Sequence, residues 1–253
     1  MRNWLVLAAL FSPLVMAGTV IEVESNSFMR LPSNTSVLQL DRLEIADYGT
    51  LLIPAGLTEL RVAQLRLGRD ARLAIAPSEQ ELRLEVAAAE IASGAQISAR
   101  GAQGRSEKPA LPGRNLSLRL QAANVEGLLV DARGGEGAPG YAGLAGANGK
   151  PGGCTWGEAS RGHDGLDGGD GQQGAAGGQV RLEVPQNFPL ELLQVRLDGG
   201  SGGSSGTPGA GGQGGVSKGC WLYSTAGAND GKPGQAGRAG QAGPTGALNV
   251  VRF

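Results

Sequence analysis

Histidine is almost missing from this chain of 253 residues, where His163 is the only one. No nucleophile stands at a recognisable spacing from it, so the familiar acid–base and nucleophilic constellations have no residues to build on, and no catalytic residue is expected. Charge of either sign is not in excess either, with 22 basic and 23 acidic residues. That balance excludes the basic patch on which nucleic-acid and membrane-surface binding depend. Long apolar runs are missing too. Beyond the N-terminus nothing approaches the roughly 18 consecutive apolar residues of a membrane span. Cysteine occurs twice, at Cys154 and Cys220.

The N-terminus is read as a signal peptide over residues 1–17: Arg2 supplies the positive start, Trp4 to Val15 an apolar stretch, and Val15-Met16-Ala17 a small-residue cleavage site. Export to the periplasm, cell surface or medium follows from that reading. Two cysteines in an exported chain predict one disulfide, Cys154 to Cys220. Closing such a loop is worth about 4–5 kcal/mol in the chain-entropy estimate.

Glycine is what the chain has in abundance, 45 residues in all. It recurs at every third position in four runs, Gly134 to Gly152, Gly162 to Gly177, Gly200 to Gly215 and Gly231 to Gly246, paired as two excursions that lead out to a loop and back. A period of three selects polyproline II, with three residues per turn, about 3.1 Å rise per residue and no internal hydrogen bonds. Its backbone groups must find partners in neighbouring chain, and glycine lets that chain come close. The runs are short and poor in proline for a three-chain collagen helix, and their strict phase distinguishes them from flexible linkers. The expectation is an intrachain bundle. Gly202, Gly211 and Gly214 give the third run a second bare edge, which predicts that it is central and the fourth peripheral.

Between and before the runs, two strand types alternate. The first comprises Gly49–Ile53, Ala71–Ile75, Ala95–Ala99, Gly127–Val130 and Leu193–Leu197; the second comprises Leu60–Val62, Leu82–Leu84, Leu116–Leu120, Val180–Val184 and Leu248–Val251. Ile53 to Ile75 and Leu60 to Leu82 both span 22 residues, a repeat period. Period-two alternation puts aliphatic side chains on one face, and stacked rungs then share a continuous interior. The fold class is all-β: a β-solenoid with inserted antiparallel polyproline II hairpins. The layout is a signal peptide (1–17), an N-terminal lead-in or cap (18–35), solenoid coils (36–133), a first Gly-X-Y hairpin (134–178), solenoid strands (179–198), a second hairpin (199–246) and a C-terminal strand (247–253). All insertions fall between a first and a second strand, hence on one side of the stack.

The stretches from Gly137 to Gly149 and from Gly231 to Gly243 resemble the glycine-rich bundles of springtail antifreeze proteins and the tips of phage tail-fibre adhesins. The resemblance implies a compact, non-enzymatic bundle of antiparallel polyproline II helices that presents a flat face or its loops. It covers about 90 residues and does not extend to the coils. Arg238, Gln235, Gln241, Lys150 and Asp167 on the ridges depart from the small-residue rows of an ice-binding face.

The loop tips carry the candidate binding residues. Trp156 and Trp221 flank the two cysteines, with Tyr223, Glu158, Arg161 and His163 nearby, a set suited to docking a cell-surface or extracellular protein or glycan. The same rings could instead cap the disulfide. Asp164, Asp167 and Asp170 stand about 9 Å apart on one ridge, too far for a shared ion with oxygens at about 2.3–2.6 Å, and read as a solvated acidic ridge. Gly209-x-Gly211-x-x-Gly214 matches a dinucleotide fingerprint by letters but lacks the helix and acidic partner. Arg61, Arg66, Arg72, Arg83 and Glu85 read as ordinary solvated positions. No cofactor and no metal are expected, and the protein is expected to be a monomer. The alternatives are an ice- or surface-binding bundle face, and a polysaccharide-active enzyme on the solenoid, which would need acidic and basic residues clustered on one strand face.

Overall fold

Alternating aliphatic and polar residues leave each strand with one face to bury, and stacking like strands in parallel is the arrangement found in the computed structural model. It describes residues 19–155 and 157–253. The signal peptide expected over 1–17 lies outside the described residues. A seven-stranded parallel sheet has the order β1 (Val20–Val23), β3 (Val37–Ile45), β5 (Glu59–Leu67), β7 (Leu82–Ile91), β9 (Leu116–Val125), β11 (Val180–Val184), β15 (Leu248–Arg252). A six-stranded parallel sheet has the order β12 (Leu193–Arg196), β10 (Leu128–Asp131), β8 (Ala95–Ser98), β6 (Arg72–Ile75), β4 (Thr50–Ile53), β2 (Phe28–Arg30). The chain alternates between the sheets coil after coil, an all-β, solenoid-like arrangement. β1 and β2 already belong to it, so pairing begins inside the stretch 18–35.

Register stacks like on like. Leu51, Leu73, Ile97 and Val130 align across β4, β6, β8 and β10, and Leu60, Leu84, Leu118 and Leu182 across β5, β7, β9 and β11. All eight are buried in one core. The 22-residue spacing holds for Ile53 and Ile75 but not for Leu60 and Leu82: Leu60 pairs with Leu84, and Leu82 with Leu116. The corner before β7 is longer by two residues, and a slip of two keeps every side chain on its face.

The long strands turn a corner midway. Their alternation breaks at paired exposed residues, Asp41-Arg42, Ala63-Gln64 and Ala87-Ala88, after which Leu43, Leu65 and Ala89 resume the buried phase. Each such coil therefore has three walls. Outside, solvated charges are also paired: Arg61 with Glu59 and Glu85, Arg66 with Glu44 and Glu90, and Arg119 and Arg181 with Glu183.

All excursions leave the stack at one corner, between a strand of the smaller sheet and the next strand of the larger. Arg114, fully buried, plugs that corner lower down. Its guanidinium donates to the carbonyls of Gln80 (2.8 Å), Ala76 (3.4 Å) and Leu57, and burial pulls its pKa below the usual guanidinium value.

The glycine runs, I (134–152), II (160–178), III (199–215) and IV (228–246), are extended segments joined laterally by backbone bonds every third residue. Run I donates to III (Gly140 N–H to Ser204 O, 2.8 Å), run II to I (Leu166 N–H to Leu144 O, 2.9 Å) and to IV (Gly168 N–H to Gln235 O, 2.8 Å), run III to II (Gly209 N–H to Leu166 O, 2.9 Å) and run IV to III (Gly237 N–H to Gly206 O, 3.1 Å). Runs II and III thus share the centre, with I and IV on either side. The two bare edges of run III predict that it alone is central; run II joins it there because, with mostly one glycine per triplet, it donates two N–H groups per triplet in different directions. Side chains are absent where runs touch: a Cβ on Gly209 would strike the backbone of Leu144, and one on Gly143 the carbonyl of Leu166. The glycine sequence is the packing.

Candidate functional site

Stacked coils carry the two excursions side by side, so their loops meet at the end farthest from the aliphatic core. There Cys154 and Cys220 form a disulfide with their Cα atoms 5.6 Å apart. The second loop folds into a small antiparallel ribbon, β13 (Lys218–Gly219) with β14 (Ser224–Thr225). Cys220 N–H donates to Tyr223 O at 2.7 Å, which makes Trp221 and Leu222 the two central residues of a tight turn. A side chain in that position has nothing to pack on. Trp221 is 96% exposed and Leu222 83%.

The turn is nevertheless held firmly. The disulfide ties it to the first loop, the Tyr223 hydroxyl donates to Cys154 O, and Gly152 N–H donates to Val216 O at 3.2 Å. Thr225 Oγ1 donates to Lys218 O at 3.3 Å. Between the loops runs a groove of about 630 Å³ whose lining includes Gly153, Thr155, Glu158, Tyr223 and Thr225.

Of the predicted tip residues, Tyr223 and Glu158 line this groove, Trp221 stands exposed on the adjoining turn, and Trp156 lies outside the described residues. Arg161 and His163 sit lower, on the first triplets of run II. Arg161 donates to Asp164 Oδ1 at 2.7 Å and links run II to the start of run IV through Asp230 O; the backbone N–H of His163 donates to Ala147 O. Leu222 was not among the candidates, although its place beside Trp221 between Cys220 and Tyr223 is the sequence of a two-residue turn.

The acidic ridge is not simply solvated. Asp164, Asp167 and Asp170 each accept the backbone N–H of a run IV residue, Lys232 (2.7 Å), Gln235 (2.6 Å) and Arg238 (2.6 Å). Three-residue spacing matches the triplet repeat of the neighbour, and the carboxylates supply acceptors that carbonyls cannot. The Lys232 N–H is the main influence holding the Asp164 carboxyl below its ordinary pKa; desolvation opposes it less strongly, and the nearby Arg161 guanidinium adds a smaller pull in the same direction as the N–H. Among the described residues no group of His, Cys, Asp or Glu is arranged to hold a metal ion, and no helix is long and apolar enough to cross a membrane.

Compared with protein-family models, curated proteins and solved structures, the chain matches none of them.

Proposed function

We propose that this is an exported, non-enzymatic binding protein: a solenoid stalk carrying a bundle of four polyproline II helices, whose disulfide-held tip docks a cell-surface or extracellular protein or glycan. The observation that carries this reading is Trp221, almost wholly exposed on a turn fixed by a disulfide and by backbone bonds. A large ring presented on a fixed backbone turn spares the loop-ordering cost of binding and offers a stacking face, the pattern of an interface anchor. Capping the disulfide would require the ring to lie against it, and at 96% exposure Trp221 covers nothing. The triplet hydrogen bonding of the runs and their glycine contacts support the polyproline II assignment. Against an enzyme on the coils, Arg61, Glu85, Arg119 and Glu183 spend their charges on one another along the ladder.

The test is a glycan array and a panel of extracellular proteins probed with the labelled protein, alongside a variant carrying Trp156→Ala, Trp221→Ala and Tyr223→Ala. Loss of at least about 2 kcal/mol of binding, more than tenfold, is expected with strand circular dichroism retained. Binding unchanged in a folded triple variant would refute the tip.

A further inference from the structure

The outer face of runs I and II carries an interrupted ladder. At its base the short excursion of the third coil, residues 99–113, lies along run I and donates Gly101 N–H to Arg133 O (2.8 Å) and Gly104 N–H to Glu136 O (2.7 Å). The excursion then turns back at Arg105 to Lys108, pinned by Gln172 Nε2 donating to Arg105 O at 3.0 Å. Run I continues toward the tip. Its next carbonyls in the same series, Pro139 O, Ala142 O and Ala145 O, accept no hydrogen bond from any described residue.

Burial changes at the same point. Beneath the excursion Gly135 and Ala138 are buried; in the next triplets Tyr141 is 75% exposed and Leu144 70%, with Leu166 of run II, 58% exposed, beside Leu144. Leu166 N–H donates to Leu144 O and Gly169 N–H to Tyr141 O, so these side chains belong to adjoining triplets of one surface. The ring of Tyr141 lies over Gly169, close enough that a Cβ there would meet it. Elsewhere on the bundle the outward positions are mostly small or polar. Large apolar groups are concentrated where the acceptor series goes unfilled.

We propose that this face is a docking groove for an extended, glycine- and proline-rich polypeptide segment, which continues the ladder that residues 101–104 begin. The chemistry of the occupant follows from those two rungs. It must offer one N–H every third residue, and glycine there, since a Cβ on Gly104 would stand 2.9 Å from the amide nitrogen of Ala138. Between donors no N–H is needed, so proline is admissible, and its ring packs well against exposed tyrosine and leucine. A second copy of this protein does not supply the match: the unbroken glycine N–H series of its four runs are already engaged with one another, and the remaining run III glycines, Gly199, Gly202 and Gly211, are interrupted by Ser205 and by Pro208, which has no N–H. The proposal concerns a different surface from the tip and is independent of it.

Calorimetric titration of the purified protein with a synthetic peptide of four Gly-Pro-Ala triplets tests it, with a peptide in which each glycine is replaced by valine as control. Saturable binding of the glycine peptide alone is expected, weakened at least tenfold by Leu144→Glu and by Leu166→Gln, and unaffected by Trp221→Ala. Both leucines are exposed, and each variant is first checked for a native circular dichroism spectrum. Absence of saturable binding, equal binding of the valine peptide, or binding undiminished in both leucine variants would overturn the groove. A concentration-dependent dimer in sedimentation that Leu144→Glu abolishes would also overturn it, in favour of a second copy.

Discussion

The coils and the bundle solve one problem with opposite materials. In both, extended segments stack so that lateral backbone bonds satisfy their polar groups. The coils leave space inside the stack and fill it with aliphatic ladders such as Leu60, Leu84, Leu118 and Leu182. The bundle leaves none, and its segments approach until only glycine fits. Stability in the coils therefore comes mainly from apolar area removed from water, and in the bundle from many hydrogen bonds each worth about 0.5–1.5 kcal/mol net. A side chain is what the coils cannot lose and what the bundle cannot gain.

That contrast breaks most sharply at Gly209. Gly209→Val inserts atoms into the backbone of Leu144 and disrupts the ladders that run III makes with I, II and IV, so a loss of about 4 kcal/mol or more is expected. Gly219→Ala, where an added Cβ meets nothing within 4 Å, is the matching control and should leave thermal denaturation unchanged. The mirror experiment in the coils is Leu84→Ala. Its cavity among fully buried neighbours should cost about 2–5 kcal/mol in urea denaturation, nearer the low end if the stack relaxes.

Replacing both Cys154 and Cys220 by Ser removes a staple spanning 66 residues. The chain-entropy figure of about 4 kcal/mol is an upper bound; because hydrogen bonds along runs I and III already hold the loops together, about 2 kcal/mol is expected, with the loss confined to a bundle transition if two are resolved. Smaller still is the effect of acid. The folded-state pKa of Asp164 is lowered, so its stabilisation is complete above the unfolded value of about 3.9 and disappears as pH falls through the folded value. The melting temperature should be flat from neutral pH to about pH 5 and decline below about pH 4. Asp164→Asn keeps an oxygen acceptor for Lys232 N–H without titrating, and should flatten part of that decline.

Much of the architecture was legible because it is written in short periods. Alternation of two located β4, β6, β8, β10 and β12 and the first halves of β5, β7 and β9 together with β11 and β15, and the period of three located all four runs and their pairing. The two cysteines at equivalent run ends located the disulfide. What escaped depended on inter-segment register. The third wall, Leu65 and Leu67 after Val62, was hidden because alternation breaks at Ala63-Gln64 where the strand bends. The roles of Asp164, Asp167 and Asp170 require knowing which N–H groups of run IV lie opposite them. The same holds for the charge ladder from Arg61 to Glu183, since residues of opposite sign become neighbours only once the coils are stacked. At the tip, the aromatics were legible by their place beside cysteine, whereas Leu222 needed the ribbon to show which residues occupy the turn.

The central claim is that the glycine runs are a backbone-bonded solid, and native-state amide hydrogen exchange read by NMR tests it most directly. In run III the N–H groups of Gly203, Gly206, Gly209 and Gly212 should be protected while those of Ser204, Thr207 and Ala210 exchange freely; in run II protection should cover two residues in three, Gly165 and Leu166 but not Asp164. Protection with period three in III and doubled in II is the result this account predicts, and rapid, uniform exchange along both runs would contradict it.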